Sequence, residues 1–338
     1  MSGSSPATVH GMTPLLEVSN LSVTYFARSG ESVPAVAGIH LQVAPGEVLG
    51  VLGESGSGKS TLATALLRLL PPNGKIEQGS VLFEGQNLLE ASREELRKIR
   101  GGRIGLILQE PSSSLHPTLR IGPQVADVLA AHESLDRRTL TEKTNRLLAR
   151  VFPADAARIF RSYPHELSGG QRQRVLIAQA IACGPSLVVA DEPTASLDPT
   201  TQLEILELFR KLREKLGLAM IFITHNPGLL AGFADRILVL YAGKVAEVGP
   251  TAEMLSSPRH PYTEALLRCL PARSEAKQGV RTSKLNVIAG DPPDLSWPAR
   301  GCQFEPRCTV RMEVCKSDEP MAAAVGELHE VSCFKFRG

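Results

Sequence analysis

Gly53-Glu54-Ser55-Gly56-Ser57-Gly58-Lys59-Ser60 has the spacing G-x-x-x-x-G-K-[ST] of a phosphate-binding loop. Glycines let backbone N–H groups wrap a phosphate without Cβ clashes, and a helix that follows adds partial positive charge at its N-terminus. In that chemistry Lys59 reaches the β- and γ-phosphates of a nucleotide and the Ser60 hydroxyl ligates Mg²⁺. The flanks fit: Glu47–Leu52 reads as a buried strand, and Ser60–Leu70 as a helix stopped by Pro71-Pro72. A chance glycine-rich turn needs neither flank.

Two further groups could act on a phosphate. Ser168-Gly169-Gly170-Gln171 opens a helix predicted over Gln171–Cys183 and closed by Gly184-Pro185, a second glycine-led N-terminus able to hold an anion. Leu187–Ala190 is a continuous apolar run, as in a parallel central strand, and ends in Asp191-Glu192. Acids at that edge of a doubly wound sheet sit where ligands bind. Asp191 would hold Mg²⁺ through water, and Glu192 would polarise an attacking water. The plainer alternative, a solvated acidic turn, is weakened by Pro193 and the helix predicted over Thr201–Leu216, which continue the βα pattern. His225 follows the predicted strand Leu218–Thr224; a lone His is usually structural, but at this edge it is a candidate γ-phosphate sensor.

The elements that must position these residues follow from pattern. Leu15–Val18 and Leu21–Tyr25 read as strand segments around a Ser19-Asn20 break, and Ala35–Val43 as another, so an antiparallel group precedes the phosphate loop. After it come a short strand, Gly79–Phe83, a solvated helix, Ser92–Arg100, and a strand, Ile104–Leu108, ending at Gln109. From Glu110 to Pro164 the prolines at 111, 117 and 123 and the helical spacing of Val125–His132 and Leu140–Phe152 read as a helical insertion. Arg236–Tyr241 and Lys244–Val248 read as a final hairpin turned at Gly243.

The chain has 338 residues, enough for two or three domains, with an ordinary hydrophobic content of 43%. A net charge of +2 gives no argument for nucleic acid or an anionic membrane. The longest apolar runs, such as Leu218–Ile223, are far too short to span a bilayer, so a membrane role must come through a partner. Met1–Pro14, rich in Ser, Gly and Pro, reads as a flexible leader and not a signal peptide, which places the chain in the cytoplasm. Thiols stay reduced there. Four of the six cysteines lie in the last 37 residues, which argues for a metal over disulfides.

Together the motifs resemble the ATPase subunit of an ABC transporter, over about Leu15 to Gly249. Leu167-Ser168-Gly169-Gly170-Gln171 is the signature as that family writes it. The resemblance implies an α/β, ABC-type phosphate-loop core with an antiparallel β subdomain and a helical insertion. It implies that Tyr25 stacks on adenine, where the residues alone suggest an ordinary strand aromatic. It further implies ATP contacts from Gly53 through Ser60 and Thr61, the Q-loop at Gln109 with a share in Mg²⁺, and Asp191 and Glu192 as Walker B aspartate and catalytic glutamate. Ser196-Leu197-Asp198 would be the D-loop and His225 the switch histidine. Ser168, Gly169, Gly170 and Gln171 would serve the ATP of a second cassette placed head to tail.

A narrower likeness is to the peptide and nickel importer ATPases. Ile107-Leu108-Gln109-Glu110-Pro111 with Ser114-Leu115-His116-Pro117 is similar to their Q-loop, and Pro258–Leu267 and Gly301–Cys308 are similar to their C-terminal hallmarks. The implied boundaries are a leader at 1–13, a nucleotide-binding domain at 14–257 with its insertion at about 110–166, and a loop-rich, Cys-containing C-terminal region at 258–338. The implied partners are a second ATPase subunit, most simply a paralogue, two permease subunits and, indirectly, an extracytoplasmic binding protein, with no nucleic acid. The implied place is the cytoplasmic face of the membrane, and the implied work is di- or oligopeptide import. The alternatives are another small solute such as nickel, or a soluble ABC ATPase of repair or translation. For repair the heptad insertion is missing, and for translation the second cassette. Cys302, Cys308, Cys315 and Cys333, spaced C-x5-C-x6-C-x17-C, are expected to hold a [4Fe–4S] cluster, as some of these ATPases do. Zinc, with His329 replacing a cysteine, is the alternative. The tail lies outside every ATP motif, so the expected role of such a centre is structural, and Cys308→Ser is expected to destabilise the tail while leaving the affinity of the ATP loop nearly unchanged.

Overall fold

The computed structural model describes residues 13–28, 30–109, 114–269, 287–296 and 300–336. The readings of the leader, of Glu110-Pro111, and of Pro271 and Pro298 lie outside them. In chain order the elements are β1 (Leu16–Phe26), β2 (Ser32–Val43), β3 (Val48–Leu52), α1 (Lys59–Leu66), β4 (Gly74–Phe83), β5 (Gln86–Asn87), α2 (Arg93–Ile99) and β6 (Ile104–Ile107). Then come α3 (Ile121–Ala130), α4 (Arg137–Val151), α5 (Ala156–Arg161), α6 (Gly169–Ala180), β7 (Leu187–Asp191), α7 (Pro199–Leu216) and β8 (Ala219–Ile223). The last are β9 (Arg236–Tyr241), β10 (Lys244–Pro250), α8 (Thr251–Ser256), α9 (Pro261–Arg268), α10 (Val314–Ser317), β11 (Ala323–Gly326) and β12 (His329–Val331). They form two compact units.

The first unit takes the chain up to Gln42, Leu49–Gly85 and everything from His225. One of its sheets has β1 between β2 and β4. β1 is a single strand where two pieces are expected; the Ser19-Asn20 break survives as a bulge, with Asn20 at φ 50°. β4 begins five residues earlier than its expected start at Gly79 because its first half pairs with Ser22–Tyr25. The other ladder runs β11-β12-β10-β9-β3, antiparallel except for β3 beside β9. β3 is fully buried, as its unbroken apolar run requires. α1 ends at Leu66, four residues before the expected stop, because Arg68 adopts a left-handed φ of 52°.

The second unit takes Val43–Val48 and Gln86–Thr224. Its parallel strands run β6-β7-β8. α3, α4 and α5 pack on one another, and α3 and α4 also pack on α6, forming the helical part expected from the proline breaks and apolar spacing. Buried Gln124 fixes the entrance to α3: its Oε1 accepts from the His116 N–H at 2.8 Å, and its Nε2 donates to the carbonyls of His116 and Leu119. The insertion is thereby anchored by a polar residue that no apolar pattern singles out.

The C-terminal region departs from expectation. It is loop-rich, but α9 and the β11–β12 hairpin give it regular structure, and β12 adds antiparallel to β10 through Glu247↔Val331 and Val248↔Glu330. Tyr262 is fully buried and Phe304 nearly so; the first meets Tyr241 of β9 with its ring tilted and the second edge-on. The core of the tail is therefore shared with the sheet, which local sequence could not reveal. Glu247, fully buried on β10, accepts from the N–H groups of Arg259 and His260 at 2.7 and 2.9 Å and meets His329 Nε2 at 2.8 Å. The other ring nitrogen of His329 meets Glu253 at 3.0 Å.

His260 caps α9, its Nδ1 accepting from the Tyr262 N–H at 3.0 Å. Burial pushes its pKa down to about 4, against the opposing pull of Glu247. A histidine buried neutral contributes stability that is complete above its unfolded pKa near 6.5 and is lost as pH falls toward 4. Urea unfolding should therefore show a loss of up to about 3 kcal/mol across that window. His260→Asn, whose amide oxygen can keep the cap, should show a shallower loss; equal slopes for the two chains would refute this account.

Candidate nucleotide site

In the first unit the phosphate loop bridges β3 and α1. Gly53 and Gly58 are required by close approach: a Cβ on Gly53 would lie 2.4 Å from the Leu240 carbonyl, and one on Gly58 2.4 Å from the Ala35 carbonyl. Gly58 also has φ +101°, which a side chain would strain. Lys59 is buried at the head of α1, and its Nζ donates to the Gly53 and Glu54 carbonyls, each at 2.9 Å. The Ser57 carbonyl accepts from Gly243 N–H at 3.0 Å, which ties the loop to the β9–β10 turn. Ser55, Gly56 and Ser60 are exposed and Thr61 half-buried. Tyr25 backs onto Gly74, and its hydroxyl lies 3.3 Å from Thr61 Oγ1, so it stands beside the first turn of α1. A glycine-rich backbone, a lysine ammonium and a serine hydroxyl at one helix start can hold a polyphosphate and its cation.

In the second unit Asp191 is the buried last residue of β7. Glu192 follows with φ 46°, a left-handed conformation uncommon for Glu, held by its N–H donating to the Ile223 carbonyl at 3.0 Å. Its Oε2 accepts from Gln109 Nε2 at 3.2 Å, so the structure brings together two candidate residues 83 positions apart. A carboxylate held by strained backbone and an amide is oriented rather than mobile, as a general base must be. His225, in the first unit, is exposed just after β8.

The glycine-led segment begins two residues earlier than expected, because Ser168 and Gln171 form a capping box. Gln171 N–H donates to Ser168 Oγ at 3.2 Å, and Ser168 N–H to Gln171 Oε1 at 3.1 Å. Gly170 must lack a Cβ, which would stand 2.5 Å from Thr201 Cγ2. Ser168, Gly170 and Gln171 line an open groove of about 350 Å³ with Arg174 and Glu204. Asp198 caps α7, and the hydroxyl and then the N–H of Thr201 hold its carboxyl below the usual range.

In the tail, Cys302 N–H donates to the Cys315 carbonyl at 2.9 Å, an approach that needs Gly301, whose Cβ would be 2.2 Å from the same oxygen. Burial pushes the Cys302 thiol up to about 11, with Cys315, Cys333 and Cys308 adding to the shift. Burial also raises Cys308, with Cys333 and Cys315 adding to the shift, and Cys333, with Cys315 adding to it. The four thiols therefore share one electrostatic neighbourhood. Among the described residues, however, no three His, Cys, Asp or Glu side chains are set to hold a metal ion as they stand. His329 is not available to replace a cysteine, since its two nitrogens face Glu247 and Glu253.

Residues 36–195 match the ABC transporter family, and residues 246–315 match the oligopeptide/dipeptide transporter C-terminal region. A peptide import ATP-binding protein of Brucella ovis is 42% identical over 96% of this chain and 98% of its own length. The oligopeptide transport ATP-binding protein OppD of Bacillus subtilis is 41% identical over 95% and 88%. The chain belongs to the oligopeptide/dipeptide branch of the ABC transporter ATPases. Among solved structures it is similar to a dimeric ATP-binding cassette in a post-hydrolysis state bound to ADP and Pi, at 30% identity and a TM-score of 0.62, over 70% of this chain and 98% of that one. As a member of this family it is an ATP-hydrolysing transporter subunit, one whose family implies membrane permease partners. No helix among the described residues is long and apolar enough to cross a membrane.

Sequence reasoning missed two residues at the loop. Tyr262 Oη accepts from Glu54 N–H at 2.9 Å, and Arg307 pairs with the Glu54 carboxylate. Both lie in the segments Pro258–Leu267 and Gly301–Cys308, which were legible as family hallmarks without a location. The tail, which lies outside every ATP motif, thus touches the phosphate loop through these two side chains.

Gly58→Ala tests the loop directly. The added Cβ meets a carbonyl and forces a strained φ, so ATP affinity should fall at least about 100-fold, corresponding to roughly 3 kcal/mol. Titration calorimetry with Mg-ATP measures it, and wild-type affinity in the variant would refute the geometry.

Proposed function

We propose that this chain powers uptake of di- or oligopeptides by hydrolysing ATP on the cytoplasmic face of the membrane, bound to two permease subunits and a second ATPase subunit, itself a paralogue. An extracytoplasmic binding protein delivers the substrate. The observation that carries the peptide reading is the likeness to peptide-transport ATPases over nearly the whole chain, including the separate C-terminal match at residues 246–315.

In the proposed mechanism Tyr25 stacks on adenine while Lys59 and the N–H groups of the Gly53–Ser60 loop hold the β- and γ-phosphates. Ser60, Gln109 and Asp191 would hold Mg²⁺, which supplies charge neutralisation on the phosphate oxygens. Glu192 accepts the proton of a water that attacks the γ-phosphorus as the bond to the β-phosphate oxygen breaks, giving ADP and phosphate. Gln109, hydrogen-bonded to Glu192, orients it; His225 contacts the γ-phosphate. Thr61, beside Tyr25, completes the helix start. Ser168–Gln171 serve the ATP of the second subunit, and the groove beside them leaves room for that approach. Asp198 holds the D-loop turn.

Glu192→Gln should bind ATP as tightly as wild type yet lose hydrolysis by about 10²–10⁴-fold, the usual contribution of a positioned base. Reconstituted with its permease and binding protein, the wild-type complex should accumulate peptide and the variant complex should not. Undiminished turnover by the variant would reject Glu192 as the base, and uptake of Ni²⁺ but no peptide would reject the substrate.

We further assign Cys302, Cys308, Cys315 and Cys333 to a [4Fe–4S] cluster that fixes the tail. Four cysteines spaced C-x5-C-x6-C-x17-C, without a C-x2-C pair, suit iron–sulfur better than zinc. Anaerobically purified protein should be brown and contain iron and sulfide in equal amounts. Colourless protein without iron would remove the cluster, and bound zinc would replace it.

A further inference from the structure

Arg307 lies 253 positions beyond Glu54, yet its guanidinium grips that residue of the phosphate loop bidentately. Nη1 donates to Oε2 at 2.7 Å and Nη2 to Oε1 at 3.0 Å. The remaining donors are also used: Nη1 reaches Tyr241 Oη at 3.3 Å, Nη2 the Ile288 carbonyl at 3.5 Å, and Nε the Ala289 carbonyl at 3.1 Å. All five N–H groups of the guanidinium are engaged. The Arg307 side chain is 5% exposed and that of Glu54 24%, so this is no surface pair screened by solvent. The Glu54 backbone is held as well, its N–H by Tyr262 Oη and its carbonyl by Lys59 Nζ. Pro292, Pro293 and Leu295 of the same tail line a small cavity with Glu54–Ser57.

An acid inside a phosphate loop is a liability, because its charge stands beside the site of a triphosphate. The bidentate fork cancels that charge and fixes the direction of the carboxylate. We propose that Arg307 is a positioning residue for nucleotide binding: by neutralising Glu54 and fixing the first turn of the loop, it makes the C-terminal region a determinant of ATP affinity. This rests on the reading that the loop binds ATP, and adds an element outside the ATP motifs.

ATP affinity is measured by titration calorimetry on the full chain carrying Glu192→Gln, which suppresses hydrolysis. Adding Arg307→Gln should weaken binding roughly tenfold, a typical coupling between linked sites. Arg307→Lys, which keeps the charge but not the fork, should fall between. Combining Arg307→Gln with Glu54→Gln should recover most of the affinity, since no unpaired acid then faces the triphosphate. Unchanged affinity in Arg307→Gln, or a double variant no better than the single, would overturn the proposal. If Arg307→Gln does not fold, hydrogen exchange on the unsubstituted chain decides. By reciprocity, ATP must slow exchange of the amides around residues 302–308, and unchanged protection there overturns the proposal. Absence of ATP binding by the Arg307-containing reference chain would overturn the nucleotide reading itself, and this one with it.

Discussion

A phosphate loop cannot hold itself in shape. Its purpose requires backbone N–H groups turned toward a ligand, so they are withheld from helix and sheet, and its glycines bring no side chains to pack. The rest of the first unit compensates. Leu240 and Ala35 present carbonyls where Gly53 and Gly58 leave no Cβ, Gly243 binds the Ser57 carbonyl, and Lys59 closes the turn on itself. Tyr262 and Arg307 secure Glu54 from the C-terminal region. The loop keeps its shape because four separated stretches of chain meet around it.

The acidic edge in the second unit follows a different rule. β7 is apolar and buried up to Asp191, and the chain then turns through a left-handed Glu192. That turn costs conformational energy of order 1–3 kcal/mol, offset by the flanking parallel strands and the hydrogen bond to Ile223. The outcome is a carboxylate held in one direction by Gln109. Ser168 and Gln171 show a related economy, since the side chains that begin the helix by capping each other also stand beside the open groove.

The C-terminal region binds these themes together. Glu247, fully buried, gathers Arg259, His260 and His329 around one carboxylate, and the aromatic cluster of Tyr241, Tyr262 and Phe304 packs the same face. Removing water from this many polar groups is tolerated only because each has a partner. Burial also raises the thiols of Cys302, Cys308 and Cys333 and favours their protonated form.

The sequence alone determined the phosphate loop, the signature segment, the acidic strand end and the switch histidine candidate. Each is a contiguous run whose spacing is dictated by local backbone geometry: glycine where φ is positive, an apolar run where a strand is buried, an acid where that strand ends. β9, β7 and α2 emerge within a residue or two of their sequence boundaries for the same reason. Only the tertiary structure decided what holds those runs. Nothing local to Arg307 says that it meets Glu54, nothing near His329 says that it faces two glutamates instead of a metal, and Gln109 and Glu192 are 83 residues apart. Such pairs are set by which strands lie side by side, and that depends on the burial of whole faces rather than on any spacing along the chain.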